Sequence, residues 1–425
     1  MTNLPSKSRT PDAPSLARPY RDQGGRDNRP GVVVFLFSLT LLTACKNHDF
    51  PEYPANYREF AYVSNGGSNT VSIFDVVNVR LDREIQVGIN PTGVTANPKS
   101  NEIYVVNSGL PQGNGFISVI NTEQNAVVAT IPVHKQPYFL DVDAEGDFAY
   151  VANTGSNSVS ILDLKARREI AVVGTGEAPG VAKISPDGKT LLVTNRSGNS
   201  VSLLNTGISP AVASGQSPAP NRAFPSLRKV IEGCPGATDA VFLPDSSKAF
   251  VACSASHQIL AIAIAQQATK VPARADALEA RLDVGRSPVH LALKPDGGEV
   301  FVSNFDSNSI SEVITTTNDV GGAYLMGSHP VRGLVSADNS LLYESNFSSQ
   351  EISVYAIDDG KRAGSIHVGD GPDALAFSTR GHLLFAVDAR SGDLAVIRTS
   401  TRSLFTLLPT GRMPNAIAVK AFRLP

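Results

Sequence analysis

The sequence predicts an all-β chain: an eight-bladed β-propeller of four-stranded antiparallel blades, with seven blades as the alternative, closed by its own C-terminal strand. Three observations predict it. Four short apolar runs separated by turn residues recur along the chain, their copies lie about 42 residues apart, and the last copy ends on a strand that the first copy lacks. The clearest copy is residues 148–189, FAYVANTGSNSVSILDLKARREIAVVGTGEAPGVAKISPDGK, in which FAYVAN, SVSILDL, EIAVVG and GVAKIS are the apolar runs. Runs of this length bounded by Gly, Pro, Asn and Asp read as strands.

The residue closing the first of these strands serves as a ruler. It falls at Asn65, Asn107, Asn153, Asn195, Cys253, Asn304, Asn346 and Asp388, and four of the seven intervals are 42 residues. A four-stranded unit of about 40 to 45 residues is the length of a propeller blade, whose sheet buries both faces against its neighbours. Prolines at 91, 137, 179, 235, 288, 330, 372 and 414 open the strand that precedes the ruler strand; a proline is tolerated at the start of a strand but not in its middle. The Pro-Asp-Gly-Lys turn at 186–189 suits a hairpin with Gly in the left-handed region. These letters specify turns rather than chemistry.

Blade count follows from phase. No Pro-led strand precedes the first copy, whereas residues 414–419 (PNAIAV) follow the last one. That strand should complete the blade begun by residues 60–89 and remove the open sheet edges. Eight Pro-led strands give eight blades, and the degenerate copy around Cys253 is where a seven-bladed ring would arise.

The stretches AYVSNGGSNTVSIFD (61–75), AYVANTGSNSVSILD (149–163) and FVSNFDSNSIS (301–311), with the VGxxP and PDG elements that follow, resemble the YVTN family of β-propeller repeats. The resemblance covers everything after about residue 60. It implies four-stranded blades and a place among bacterial and archaeal envelope and surface-layer proteins. The chain has no Trp, which argues against WD-type repeats and against quinoprotein propellers built on tryptophan docking.

With 425 residues, 42% apolar and 18% charged, the chain is globular in composition. Its formal charge is -2, and residues 1–44 carry six Lys/Arg and three Asp, leaving -5 on the remainder. That is no footprint for a nucleic-acid backbone, so no nucleic-acid partner is expected; the ring is expected to be a monomer. Residues 31–42 (GVVVFLFSLTLL) have the length of a signal-peptide apolar region. They lead into Leu42-Thr43-Ala44-Cys45, which resembles the lipobox of bacterial lipoproteins. The resemblance implies cleavage after Ala44 and a lipid on Cys45; the alternative is an uncleaved helix with an incidental cysteine. The expected organisation is a removed leader over 1–44, a tether over 45–59 and the propeller over 60–425. The protein is expected on the cell envelope, anchored to the outer rather than the inner membrane and facing the periplasm or the surface.

Two copies carry insertions, residues 207–228 and 265–281, both between the third and fourth strands of their blades, counted from the axis. The second contains ARADALEAR, where a helical turn is expected. Long loops of this kind serve as partner-binding edges or as tolerated decoration.

Residues that depart from the repeat carry the functional expectation. Where the first copy has Gly93, later copies have Phe139, Asp239, His290 and Arg332, and two residues further on Asp141 and Lys183 replace Thr or Ala. If these side chains face the central channel they form a mixed-charge arc suited to an anionic or polar ligand, with Arg332 as the planar carboxylate or phosphate binder. The alternative is a set of ion pairs that satisfy one another. No HExxH, Cys-x-x-Cys or Gly-x-Ser-x-Gly pattern occurs, and His329 before Pro330 reads equally as a turn residue. Cys234 and Cys253 map to one face of the ring, as a disulfide or as two buried thiols. The function expected is a lipid-anchored binding or scaffold module for an envelope protein, a glycan or a small anionic ligand. No metal site and no cofactor is expected. The alternative is a channel-mouth enzyme, a lactonase-like hydrolase with a divalent metal or a haem-dependent oxidoreductase, using Asp141, Asp239 and His290.

Overall fold

The computed structural model describes residues 51–207, 225–265 and 275–424. The leader, Cys45 and most of both insertions lie outside these residues. Eight four-stranded antiparallel sheets succeed one another, each built from consecutive strands except the first. Blade 1 takes its three outer strands from residues 57–86 and its inner strand from Pro414–Arg423. Blades 2 to 8 are residues 91–135, 137–174, 179–232, 237–283, 288–325, 330–367 and 372–409. Each inner strand packs on the inner strands of the blades before and after it, and the last strand meets both blade 8 and blade 2, so the ring is closed with eight blades.

The first strand, Tyr57–Asn65, pairs with the last from Tyr57↔Arg423 to Asn65↔Pro414. It therefore begins three residues inside the stretch expected to be a tether. The chain before it is also engaged: Tyr53 stacks on Tyr57 with ring centroids 4.9 Å apart and shares a 2.9 Å hydrogen bond with His382 Nε2. Arg380 of blade 8 lies over both tyrosine rings, at 4.8 and 5.3 Å. The helical turn expected at ARADALEAR is instead the start of an outer strand, Ala277–Asp283, because the sheet offers the free edge of Gln258–Ala263 to pair with. The other insertion likewise ends earlier than its composition suggests, at the outer strand Ser226–Glu232.

Because neighbouring strands run antiparallel, the connections alternate between two faces. One face carries the Pro-Asp-Gly hairpins. The other carries the loops that enter each inner strand and the loops after each ruler residue. On this second face the residue before the strand-opening position is left-handed in every blade: Asn90, Gln136, Ala178, Gly236, Ser287, His329, Gly371 and Met413. His329 is thus a turn residue, its ring 4.4 Å from Phe305.

The ruler asparagines are fully buried and hold the blades together. Asn65, Asn107, Asn153, Asn195, Asn304 and Asn346 each donate to a serine hydroxyl of the next strand, at 2.7 to 2.9 Å. A glycine arriving from the preceding blade lies against five of them, and before Asn153 of blade 3 the sequence has His134 at that place. At Gly88, Gly176 and Gly285 an added Cβ would come within 2.6 Å of the asparagine side chain, so the position tolerates little else. The Gly88 and Gly176 amides donate to Asn107 and Asn195 Oδ1 at 2.8 and 3.1 Å. We call this arrangement the clasp.

Besides blade 3, which lacks the glycine, two blades change the asparagine itself. In blade 5 the glycine and the asparagine are Cys234 and Cys253, joined as a disulfide with a Cα separation of 4.9 Å, and Leu260 stands where the serine would be. In blade 8 Asp388 replaces the asparagine and Ala395 the serine. Asp388 Oδ2 accepts from the Gly369 amide at 2.9 Å, while its buried Oδ1 has no partner. Burial pushes this carboxyl up to about 8, against the Gly369 bond and with help from Asp393 and Asp370.

Candidate functional site

The inner strand of each blade has one edge paired to the second strand and one edge facing the channel. Unpaired amides and carbonyls on that edge need partners. Side chains from the preceding blade supply them. Asn415 of blade 1 donates to the Pro91 carbonyl of blade 2, and Thr95 of blade 2 to the Leu140 carbonyl of blade 3. Asp141 accepts from the Ile184 amide at 3.1 Å, and Asp239 from the Leu291 amide at 3.0 Å. Thr238 donates to the Pro288 carbonyl, and His290 Nε2 faces the Gly333 carbonyl at 3.2 Å. All six run from one blade to the next in chain order.

The six residues expected to line the channel fall on this wall in neighbouring blades. Asp141 and Lys183 are 3.8 Å apart across blades 3 and 4, and the Lys183 ammonium is 5.1 Å from the centre of the Phe139 ring. Asp239 and His290 Nδ1 are 2.6 Å apart across blades 5 and 6. Burial alone would raise Asp239, but His290, the Leu291 amide and Lys183 outweigh it and hold the carboxyl at about 2. His290 thus sits between Asp239 of blade 5 on one ring nitrogen and the Gly333 carbonyl of blade 7 on the other. Arg332 is engaged more loosely. Its nearest carboxylate is Asp373 of blade 8, 4.0 Å from Nε, and Nε makes no hydrogen bond. The Arg332 side chain remains 43% exposed.

Two members of the site were not singled out from the sequence. Asp373 sits one residue after Pro372, outside the two registers compared between copies; burial raises its carboxyl, while Arg332 and His290 draw it down. Glu344 lies on the second strand of blade 7, paired with Gly333. It was hidden because the strand Leu341–Asn346 keeps the tyrosine and asparagine of the repeat around it. The signal was there: a carboxylate at a position otherwise held by valine or alanine.

A cation–aromatic pair continues the wall toward the mouth, where the Arg196 guanidinium lies 4.4 Å from the centre of the half-exposed Tyr138 ring and donates to its hydroxyl. Lys183, His290, Arg332 and Arg196 thus distribute positive charge around several blades, with aromatic surface from Phe139 and Tyr138 beside it. Such an arrangement can bind an anion, and a planar one best, because guanidinium groups and aromatic faces both favour flat ligands. Among the described residues no group of three or more His, Cys, Asp or Glu side chains is placed to hold a metal ion.

No protein-family model and no curated relative matches the sequence. Solved structures do match in shape. The dihydro-heme d1 dehydrogenase NirN in complex with DHE aligns with a TM-score of 0.67 at 15% identity, over 87% of this chain and 76% of that one. Apo AztD from Citrobacter koseri gives 0.58 at 14% identity, over 86% and 98%. A putative 6-phosphogluconolactonase from Bacteroides fragilis gives 0.56 at 15% identity, over 87% and 99%. The chain is a β-propeller. At these identities the likeness concerns the fold alone.

Proposed function

We propose that this YVTN-type propeller is a lipid-anchored envelope protein that binds a small anionic ligand at the mouth of its channel. The observation that carries the reading is the arc of Lys183, His290 and Arg332 on the inner strands of blades 4, 6 and 7, at positions where the repeat holds small residues. Carboxylates lie closer to Lys183 and His290 than to Arg332, whose side chain stays 43% exposed. The lipobox-like LTAC supports the anchor, and the described chain begins against Arg380 and His382, beside the hairpin face.

The test is equilibrium binding of sulfate to the wild type and to the triple variant Asp239→Asn, His290→Gln, Arg332→Gln. We expect the triple variant to bind at least about tenfold more weakly, the scale of one charge-assisted hydrogen bond lost from a partly buried site. Equal binding by both proteins would sink the reading. For the anchor, Cys45→Ser is expected to move the protein from the membrane fraction to the soluble one, and a variant still in the membrane fraction would contradict it. The enzyme alternative is favoured by the Asp239–His290 pair and by the shape shared with NirN; a haem absorbance band in protein purified from its own envelope would put it ahead.

A further inference from the structure

Glu344 occupies a place that the other blades give to Val63, Val105, Val151, Val193, Val251, Val302 and Ala386. Its side chain is fully buried, and neither carboxyl oxygen has a hydrogen-bond partner. Ser303 Oγ on blade 6 is near enough to favour the carboxylate but makes no hydrogen bond of full geometry, and the buried Arg332 Nε on blade 7 makes none either. Gly333 makes the space: a Cβ there would lie 2.7 Å from Glu344 Oε2. A buried carboxyl without hydrogen bonds weakens a fold unless it stays neutral, so the ring gains nothing from having glutamate where seven copies have an alkyl group. Burial accordingly pushes the carboxyl up to about 8, with Ser303 and Arg332 acting the other way.

The charged groups around it come from four blades. Arg332 is on the inner strand of its own blade, His290 with its partner Asp239 faces it from blades 6 and 5, and Asp373 approaches Arg332 from blade 8. Among the described residues, Arg332 is the charge that acts on Glu344 directly. It is also the least satisfied cation of the channel arc.

We propose that Glu344 makes anion binding at Arg332 proton-linked: as the neutral acid it leaves the guanidinium to an anion in the channel, and as the carboxylate it takes the guanidinium for itself. This rests on the anion-binding reading above and deepens it. The ligands favoured are those that keep their full negative charge while the site keeps its proton, such as sulfate esters, phosphate esters and dicarboxylates near neutral pH. Glu344 acts through Arg332 and is a positioning residue.

Sulfate is the probe, because it remains a dianion from pH 6 to 9 and its own titration cannot produce a profile. Calorimetric titration of the purified full chain is expected to show wild-type affinity falling about tenfold between pH 7 and pH 9, the loss set by one linked proton released near pH 8. Glu344→Gln and Glu344→Val, the second of which restores the residue of the other blades, should lack that tenfold loss. His290 is present in all three proteins, so any share of the profile due to it is common to them and cancels in the comparison. One pH profile shared by the wild type and both variants overturns the proton link and leaves the anion site standing. No sulfate binding by any of the three at any pH overturns the anion site and the proton link together.

Discussion

A chain ending at Thr410 is expected to lose cooperative unfolding altogether. The strand it lacks, Pro414–Arg423, pairs with Tyr57–Asn65 along its whole length and packs Ala418 and Phe422 into the boundaries of blade 1. Its removal would expose Ala61, Tyr62 and Val63, all at 0% in the intact ring. The Arg412 and Met413 carbonyls that accept from Gly67 and Gly66 would go as well. Roughly eight ladder hydrogen bonds at about 1 kcal/mol each, and four apolar side chains at about 1.5–3 kcal/mol each, exceed the 5–15 kcal/mol that holds a typical domain together. Thermal unfolding followed by circular dichroism should change from one sharp transition to a broad decline, with an enlarged hydrodynamic radius before heating. A truncated chain that melts like the intact one would show that the ring does not depend on this strand. A synthetic peptide of residues 411–425 added in trans should restore part of the transition if strand pairing is the cause.

The second large effect is expected at the clasp of blade 5. Replacing Cys234 and Cys253 by alanine releases a loop of 19 residues and should cost about 3 kcal/mol by loop entropy. It also leaves a small void at a site where both residues are fully buried. The triple replacement Cys234→Gly, Cys253→Asn, Leu260→Ser installs the arrangement used by the ordinary blades and should recover a substantial part of that loss, since it supplies the amide-to-carboxamide and carboxamide-to-hydroxyl bonds seen at Asn107 and Asn195. The double replacement without Leu260→Ser should recover less, because the new carboxamide would face leucine. Denaturation midpoints of the four proteins decide the matter. Equal midpoints for the alanine variant and the triple replacement would mean that the glycine–asparagine contact does not do the work of the disulfide.

The ruler residue was legible because its spacing reports a structural requirement that recurs at each blade boundary. The structure explains that requirement: the six ruler asparagines each donate to a hydroxyl on the next strand, and five of them touch a glycine from the blade before. The closing strand was legible from phase, since a ring needs as many inner strands as blades. Less could be read where the repeat is degenerate. Helical propensity in ARADALEAR loses to an available sheet edge, as local preference does when a ladder is waiting. Register placed Asp239, His290 and Arg332 on one wall, but it could not reveal that Asp239 and His290 are tightly paired while Arg332 is not. Glu344 is not visible in the register of the inner strands, because its position lies one strand further out. The pairing of Gly333 with Glu344 is a change in two neighbouring strands at once, and only the register between them connects the two.

The channel side chains serve the backbone of the blade that follows them, never that of the blade before, in each of the six bonds traced along the wall. Inheritance in such a ring is consequently directional. A blade grafted in from another propeller would bring its own sheet but would depend on its upstream neighbour for the partners of its inner edge, and would impose its own channel residues on the blade downstream. The exchangeable module is a boundary, half of one blade with half of the next. A duplication that copies residues 148–189 takes the strand Pro179–Ile184 but leaves behind Asp141, which serves it, so a copy must start at Pro137 to carry this boundary intact.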